Sequence, residues 1–364
     1  MIADLLQVPG LAGQSVLVPR FSLAVEGVPL PAPVMAAFLS VSVAQEANEP
    51  ASFQLEVNDP QFLLVEAAGG LLAEGRRVEI ALGYVGNTLP MIEGEISAID
   101  VNLDEGGGLT LGIEGFDGLH AGTRGTASRS FDEGKSDSAI VREVASELLP
   151  TAVVDETPPR TQAEAQSEES TLAFLQRLAK RNGFQLWAEG RTLFFMRRRL
   201  GPALRFARGR NLISFSARLS TAGQAGAVEV RSWDAARQQV ITATAAANLS
   251  PDYLAALSAT GLAQIAGQAL GIGAKTGTRV IHAQARASSI AEAQDLADAE
   301  MQEQRRKLLT ASGSVVGDPN IRVGSLVSLE NMGRFSLHPY VVEQATHRID
   351  ASGYRTTFTM RQYL

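Results

Sequence analysis

The stretch LGIGAKTG, residues 270–277, comes nearest to a phosphate-binding loop. A Walker loop needs glycine directly before Lys-Thr, so that backbone N–H groups can turn onto the phosphates. Ala274 stands there instead, and no apolar strand leads into the loop, so it reads as a connector. Gly271 and Gly273 fail as a dinucleotide signal, because the third glycine is missing and no βαβ unit surrounds them. Histidines occur at 120, 282, 338 and 347 without a His-x-x-x-His pair or a glutamate at metalloprotease spacing. On one continuous strand His338 and His347 would point to opposite faces, while Glu343 and His347 would share one, as a cross-sheet polar contact. The carboxylates Asp155, Glu156, Glu164, Glu168 and Glu169 lie in a Pro/Ala/Gln-rich stretch and read as a solvated acidic loop rather than an acid–base pair. No Gly-x-Ser-x-Gly elbow is present. The residues therefore assign no catalytic group, no metal ligand and no cofactor. Trp187 and Trp233 fall on strand patterns as core or interface anchors. Arg305, Arg306 and Lys307 suit the end of a helix.

Bulk composition narrows the classes further. The chain has 364 residues, 45% hydrophobic and 20% charged, and a net charge of −7. Such a balance lacks the basic face that a nucleic-acid binder uses to neutralise phosphates. Cysteine is absent, which excludes disulfides and thiolate metal sites. The opening MIADLLQVPG has no basic n-region and carries Asp4, unlike a secretory signal. The most apolar window, PLPAPVMAAFLSVSVA, is too short and too rich in proline for a transmembrane helix, so no direct membrane insertion is expected.

The elements that would position any site come from periodicity. Residues 1–20 read as an N-terminal arm. FSLAVEG, FLSVSVAQEA, ASFQLEVNDP, RRVEIALGY and MIEGEISAIDVNL alternate with period 2, so 21–120 reads as a β-barrel module. In 136–149, Ile140, Val144 and Leu148 repeat at helical spacing behind Ser136 or Asp137 as N-cap. A second helix, 170–183, ends at Asn182-Gly183, and a hairpin follows around Glu189-Gly190. Residues 121–208 thus read as a small α+β domain. Strand patterns return in 209–245 and 309–364, read as a second β-barrel module. Residues 246–308 read as a helical insertion closed by a helix over 289–308, which opens with Ser289-x-x-Glu292. The fold class is mainly β with α+β insertions: two related small β-barrel modules, a small α+β domain and a helical insert.

The two β modules share a pattern. Gly75 precedes an apolar strand, and Ile99-Asp100 begins 24 residues after it; Gly324 does the same, with Ile349-Asp350 beginning 25 residues after it. A Gly turn and an alternating strand then follow in both. This reads as an internal repeat of one supersecondary unit, marked by Gly75, Ile99, Asp100, Gly324, Ile349 and Asp350.

ESTLAFLQRLAKRNGFQLWAEGRTLFFMRR (169–198), SIAEAQDLADAEMQEQRRK (289–307), GDPNIRVGSLVSLENMGRFSLHPYVVEQATHRID (317–350) and YRTTFTMRQ (354–362), with the first module from Phe21, resemble the phage late control protein D family, the hub half of VgrG-type spikes. The resemblance covers roughly 20–364. It implies a baseplate hub of a contractile tail or contractile injection system, assembled in the cytoplasm and built into a phage tail or tail-like particle. It implies a homotrimer whose doubled module gives a pseudo-hexameric ring, adapting a three-fold spike to a six-fold inner tube. The implied partners are the chain itself, a separate spike protein, the inner tube protein and baseplate wedge components, with no nucleic acid. Such a hub is structural rather than enzymatic. The competing readings are a tail-associated cell-wall hydrolase, with carboxylates brought together by folding, and a sugar-binding β module, against which an aromatic content of 6% weighs.

Overall fold

The period-2 runs become strands because each buries one face. Phe53, Leu55 and Val57 point inward from one strand while Gln54 and Glu56 stay outside. The computed structural model describes residues 18–65, 70–103, 105, 108–160, 162–197, 201–220, 227–234, 238–246, 279–282, 287, 289–306 and 309–363. In chain order, the first unit holds β1 (Pro19–Val25), β2 (Val28–Pro29), the one-turn helix α1 (Ala32–Met35), β3 (Phe38–Glu46), β4 (Ser52–Val57), β5 (Arg77–Tyr84), β6 (Asn87–Leu103) and β7 (Leu109–Asp117). An α+β domain follows, with β8 (Ala127–Phe131), α2 (Asp137–Ala145), β9 (Thr151–Val154), β10 (Glu164–Glu169), α3 (Thr171–Asn182), β11 (Phe184–Glu189) and β12 (Thr192–Arg197). Then come β13 (Leu204–Ala207) and β14 (Leu212–Leu219). A small layer has β15 (Ala227–Asp234), β16 (Gln239–Ala246), β17 (Arg279–His282) and α4 (Ile290–Arg306). The chain closes with β18 (Leu309–Val316), β19 (Leu326–Glu330), β20 (Tyr340–Asp350) and β21 (Gly353–Gln362).

Five strands in each β unit are ordered alike. The first runs β3-β4-β7-β6-β5 and the second β14-β18-β21-β20-β19, all antiparallel. Numbered by sequence within each unit, both read 1-2-5-4-3. The match extends to irregularities. Gly75 N–H donates to Ile96 O and Ile96 N–H to Arg76 O; Gly324 N–H donates to Val342 O and Val342 N–H to Ser325 O. Both glycines have positive φ, 80° and 88°. The register slips by one residue at Ser97 in β6 and at Glu343 in β20, and likewise at Leu39 in β3 and Ile213 in β14. Even a cross-strand contact recurs, Ser40 Oγ to Glu56 at 3.1 Å and Ser214 Oγ to Ser314 Oγ at 2.7 Å.

Three expectations change. Neither unit closes into a barrel by strand pairing among the described residues. Instead both merge into one 13-stranded sheet, because the second half of β20 pairs with β3. Second, the Ile-Asp pairs are not equivalent. Counting from Ile96 and Val342, Ile99 matches Ala345 and Asp100 matches Thr346, so Ile349-Asp350 lies four residues out of step. An offset of four preserves the alternation, which is why the two stretches look alike. Third, the strands within 209–245 that include β15 and β16 do not join the second unit. They pair with each other, β15 also with β17, and bury Val228, Val230, Ile241 and Ala243 against Ala293, Ala297 and Met301 of α4. The expected arm at 1–20 lies outside the described residues up to 17, and of the expected helical insertion 246–308, residues 247–278, with the loop 270–277 among them, lie outside them.

The α+β domain has its own core, Ile140, Val144, Leu172, Phe174, Leu175, Phe184, Leu193 and Phe195 among others. Ser136 caps α2 by accepting from Ala139 N–H at 3.2 Å. Ser170 caps α3 through Ala173 N–H, and Gly183 ends it in the left-handed region at φ 62°. The domain docks on the β3–β4 turn, where Asn48 Oδ1 accepts from Leu186 N–H at 2.8 Å and Asn48 O from Gln176 Nε2 at 2.8 Å.

Candidate functional site

The seam between the two β units is built from backbone first. Residues 344–349 of β20 pair antiparallel with 46–41 of β3, and Ala47 N–H donates to Glu343 O at 2.9 Å just beyond. Side chains then lock it. Ile349 and Tyr354 from the second unit belong to the core of the first, beside Val41 and Val43. Tyr84 donates to Gly317 O at 2.6 Å, and its ring lies 5.6 Å from that of Tyr354. Gly317 is required here: a Cβ would lie 2.0 Å from the Tyr354 ring. Arg322 reaches from the second unit to Pro90 O and to Met91 Sδ.

His347 lies at the centre of this seam and is fully buried. Its Nδ1 meets Tyr354 Oη at 2.9 Å and Thr356 Oγ1 at 3.1 Å, and Nε2 meets Ile321 O at 2.8 Å. Burial pushes its imidazole down to about 4, so it is neutral at pH 7. Burial likewise raises the Tyr354 phenol. The arrangement is a satisfied polar knot, with both ring nitrogens engaged and no access for a substrate. The bulge at Glu343 takes that residue out of the alternation, so the expected Glu343–His347 pairing across one face is replaced by these contacts. His338, preceding β20, meets Gln362 at 3.2 Å, and His120 stacks on Phe116 at 4.3 Å.

The acidic stretch also differs from its expected solvated form. Glu164 is buried, held by Arg181 at 2.6 Å, Arg177 at 2.7 Å and Arg160 at 3.1 Å. Asp137, also buried, takes two bonds from Arg181 and one from Asn182. Burial alone would raise the Glu164 carboxyl, but hydrogen bonds from Arg177 and Arg181 outweigh it and hold it below its usual range. Arg160 also reaches Glu292 of α4 at 3.3 Å, tying the small layer to the α+β domain. Glu169 pairs with Arg177 and Glu156 with Arg142; Asp155 accepts from Arg197 N–H, and Glu168 is exposed. Each acid inside the cluster, Glu164 and Asp137, faces arginine. Sequence reading missed this cluster because its members span 137 to 292, and its only local hint was basic residues in the last turn of α3.

Trp187 stacks on Phe194 at 5.0 Å, whereas Trp233 is exposed and anchors no core. Among the described residues no group of three His, Asp or Glu could hold a metal ion, and no helix is long and apolar enough to cross a membrane. What the structure does present is strand edge. Among the described residues, the 98–103 half of β6 pairs with no strand but β7, and β14 pairs with no strand but β18, with one isolated parallel bridge from Leu212 to Arg208 at its start.

Several solved structures share this architecture. A 43 kDa tail protein of prophage MuSo2 from Shewanella oneidensis has a TM-score of 0.68 at 14% identity, over 94% of this chain and 98% of that one. A tail protein from Neisseria meningitidis MC58 has 0.66 at 12%, over 94% and 96%. A component of the Escherichia coli type VI secretion system, described as similar to T4 tail proteins gp27 and gp5, has 0.57 at 11%, over 94% and 77%. At these identities the likeness is one of fold. No curated protein matches the chain. A family model described as the Alg8 N-terminal domain matches residues 15–350, nearly the whole chain. The chain belongs to the Alg8 N-terminal domain family.

Proposed function

We propose that the chain is a structural part of a phage-tail-like particle, the trimeric hub of a contractile baseplate, related to the late control protein D and VgrG-type hubs. One observation carries the reading: two units of identical strand order, with matching bulges and matching glycine turns, fused through β20 and β3. Closed rotational symmetry forbids three identical lobes from matching six subunits one to one. Three copies of a doubled chain present six similar lobes, so the duplication, marked by Gly75 and Gly324, adapts a three-fold spike to a six-fold tube. The hub's partners are then further copies of itself, a spike protein on the three-fold side, the inner tube on the six-fold side and the wedges around it. Nothing in this role calls for catalysis or a cofactor, and the fully engaged His347 and arginine-bound Glu164 suit a scaffold.

Light scattering on the purified chain tests the reading, alone and mixed with tube and spike proteins of the same source. The expected particle has three times the 38.6 kDa chain mass, and its end-on electron micrographs show six lobes. A chain that stays monomeric at every concentration and with both partners removes the hub reading.

A further inference from the structure

The internal seam has an unfilled counterpart. By the equivalence of the two units, β20 corresponds to β6 and β3 to β14. The 344–349 half of β20 finds its partner in β3, yet the equivalent 98–103 half of β6 and the outer edge of β14 pair with no described strand. Exposure records the difference. His347 and Ile349 are 0% and 6% exposed, but their equivalents Val101 and Leu103 are 55% and 70% exposed. An apolar strand edge left open is a template for another strand.

We infer that a second copy of this chain fills it: β6 of one copy pairs antiparallel with β14 of the next, in the register that β20 and β3 use within the chain. This deepens the hub reading and rests on it. Carrying the register across, Asp100 lies opposite Arg218 of the neighbouring copy, Asn102 opposite its Ser216, and Val101 opposite its Ala217. The Asp100–Arg218 match of opposite charges arises from the equivalence alone. The contact is head-to-tail, β6 on one side and β14 on the other, so successive copies form a ring when the rotation closes. Every second seam of that ring would then lie within a chain and every other one between chains.

Cysteine cross-linking tests the register on the full chain, which has no cysteine of its own. The double variant Asn102→Cys with Ser216→Cys is expected to give covalent dimers and trimers on mild oxidation. Val101→Cys with Ser216→Cys, one residue out of register, should not, because the thiols would point to opposite faces. Charge reversal is the second arm. Asp100→Arg or Arg218→Asp alone should raise the assembly midpoint concentration about tenfold or more, and D100R with R218D should restore it. A trimer by mass in which the in-register pair stays uncross-linked overturns this edge pairing and leaves the hub standing. A persistent monomer overturns both.

Discussion

At the scale of single residues, the seam makes a prediction about pH. Burial drives the His347 imidazole from 6.5 down to about 4. Between these values the unfolded chain binds more protons than the folded one, so stability rises with pH. The contribution is fully present above about 6.5 and drains as the pH falls toward 4, by an amount on the order of 3 kcal/mol. Asp117 tilts the other way: burial raises its carboxyl from 3.8 to about 7, while N–H donors from Ala51 and Leu119 pull it back. Its contribution is present below 3.8 and lost as the pH rises through 7. Urea midpoints measured from pH 4 to 7 on the wild type and on His347→Gln separate the two. The difference between the curves should grow steadily above pH 4 and level off near 6.5; parallel curves would mean that His347 does not titrate with unfolding. None of this was legible in the sequence. Ser136 was readable as a candidate cap because a cap contacts N–H groups three residues away. The burial of His347 depends on a bulge at Glu343 and on strands far along the chain, and the partners of Glu164 lie on a different helix.

Among the elements, the two glycine turns allow a paired comparison. Gly75 and Gly324 occupy the left-handed region, and a Cβ on either would meet nothing closer than 3.4 Å. Replacement by alanine is therefore penalised by backbone conformation rather than by collision, at about 1 kcal/mol each. Thermal melts of Gly75→Ala and Gly324→Ala should show similar losses; one large and one negligible loss would mean that the turns are not equivalent. α3 formed where its end at Asn182-Gly183 predicted, and α2 began where its cap predicted but ended at Ala145, short of the expected 149, so that Leu148 lies beyond it. Strands β15 and β16 were legible as strands but not as to which sheet they join. Alternation says that a strand has one buried face, and only the arrival of α4 decides what buries it. The Ile-Asp pairs mislead for a related reason: a four-residue offset keeps the same alternation, whereas the bulges at Ser97 and Glu343 mark the true register.

For the whole molecule, the continuous sheet predicts coupled behaviour. Residues 41–46 and 344–349 hold each other's backbone groups, and Tyr354 lies in the core of the opposite unit. Hydrogen exchange under rising denaturant should expose both stretches together, as one cooperative unit. The α+β domain, with a separate core and a narrow footing on Asn48, should open on its own. Exchange of 344–349 well before 41–46 would show that the seam is looser than its pairing suggests. The union of the two units could not be read from the chain, since β3 and β20 are some 300 residues apart and nothing local marks them as neighbours. Their connection has a kinetic side. Two faces carried on one polypeptide meet at a local concentration fixed by the chain, however thin the surrounding solution becomes. Dilution, which empties any contact between separate molecules, leaves this one closed, so the join made of β3 and β20 should outlast any contact between separate copies.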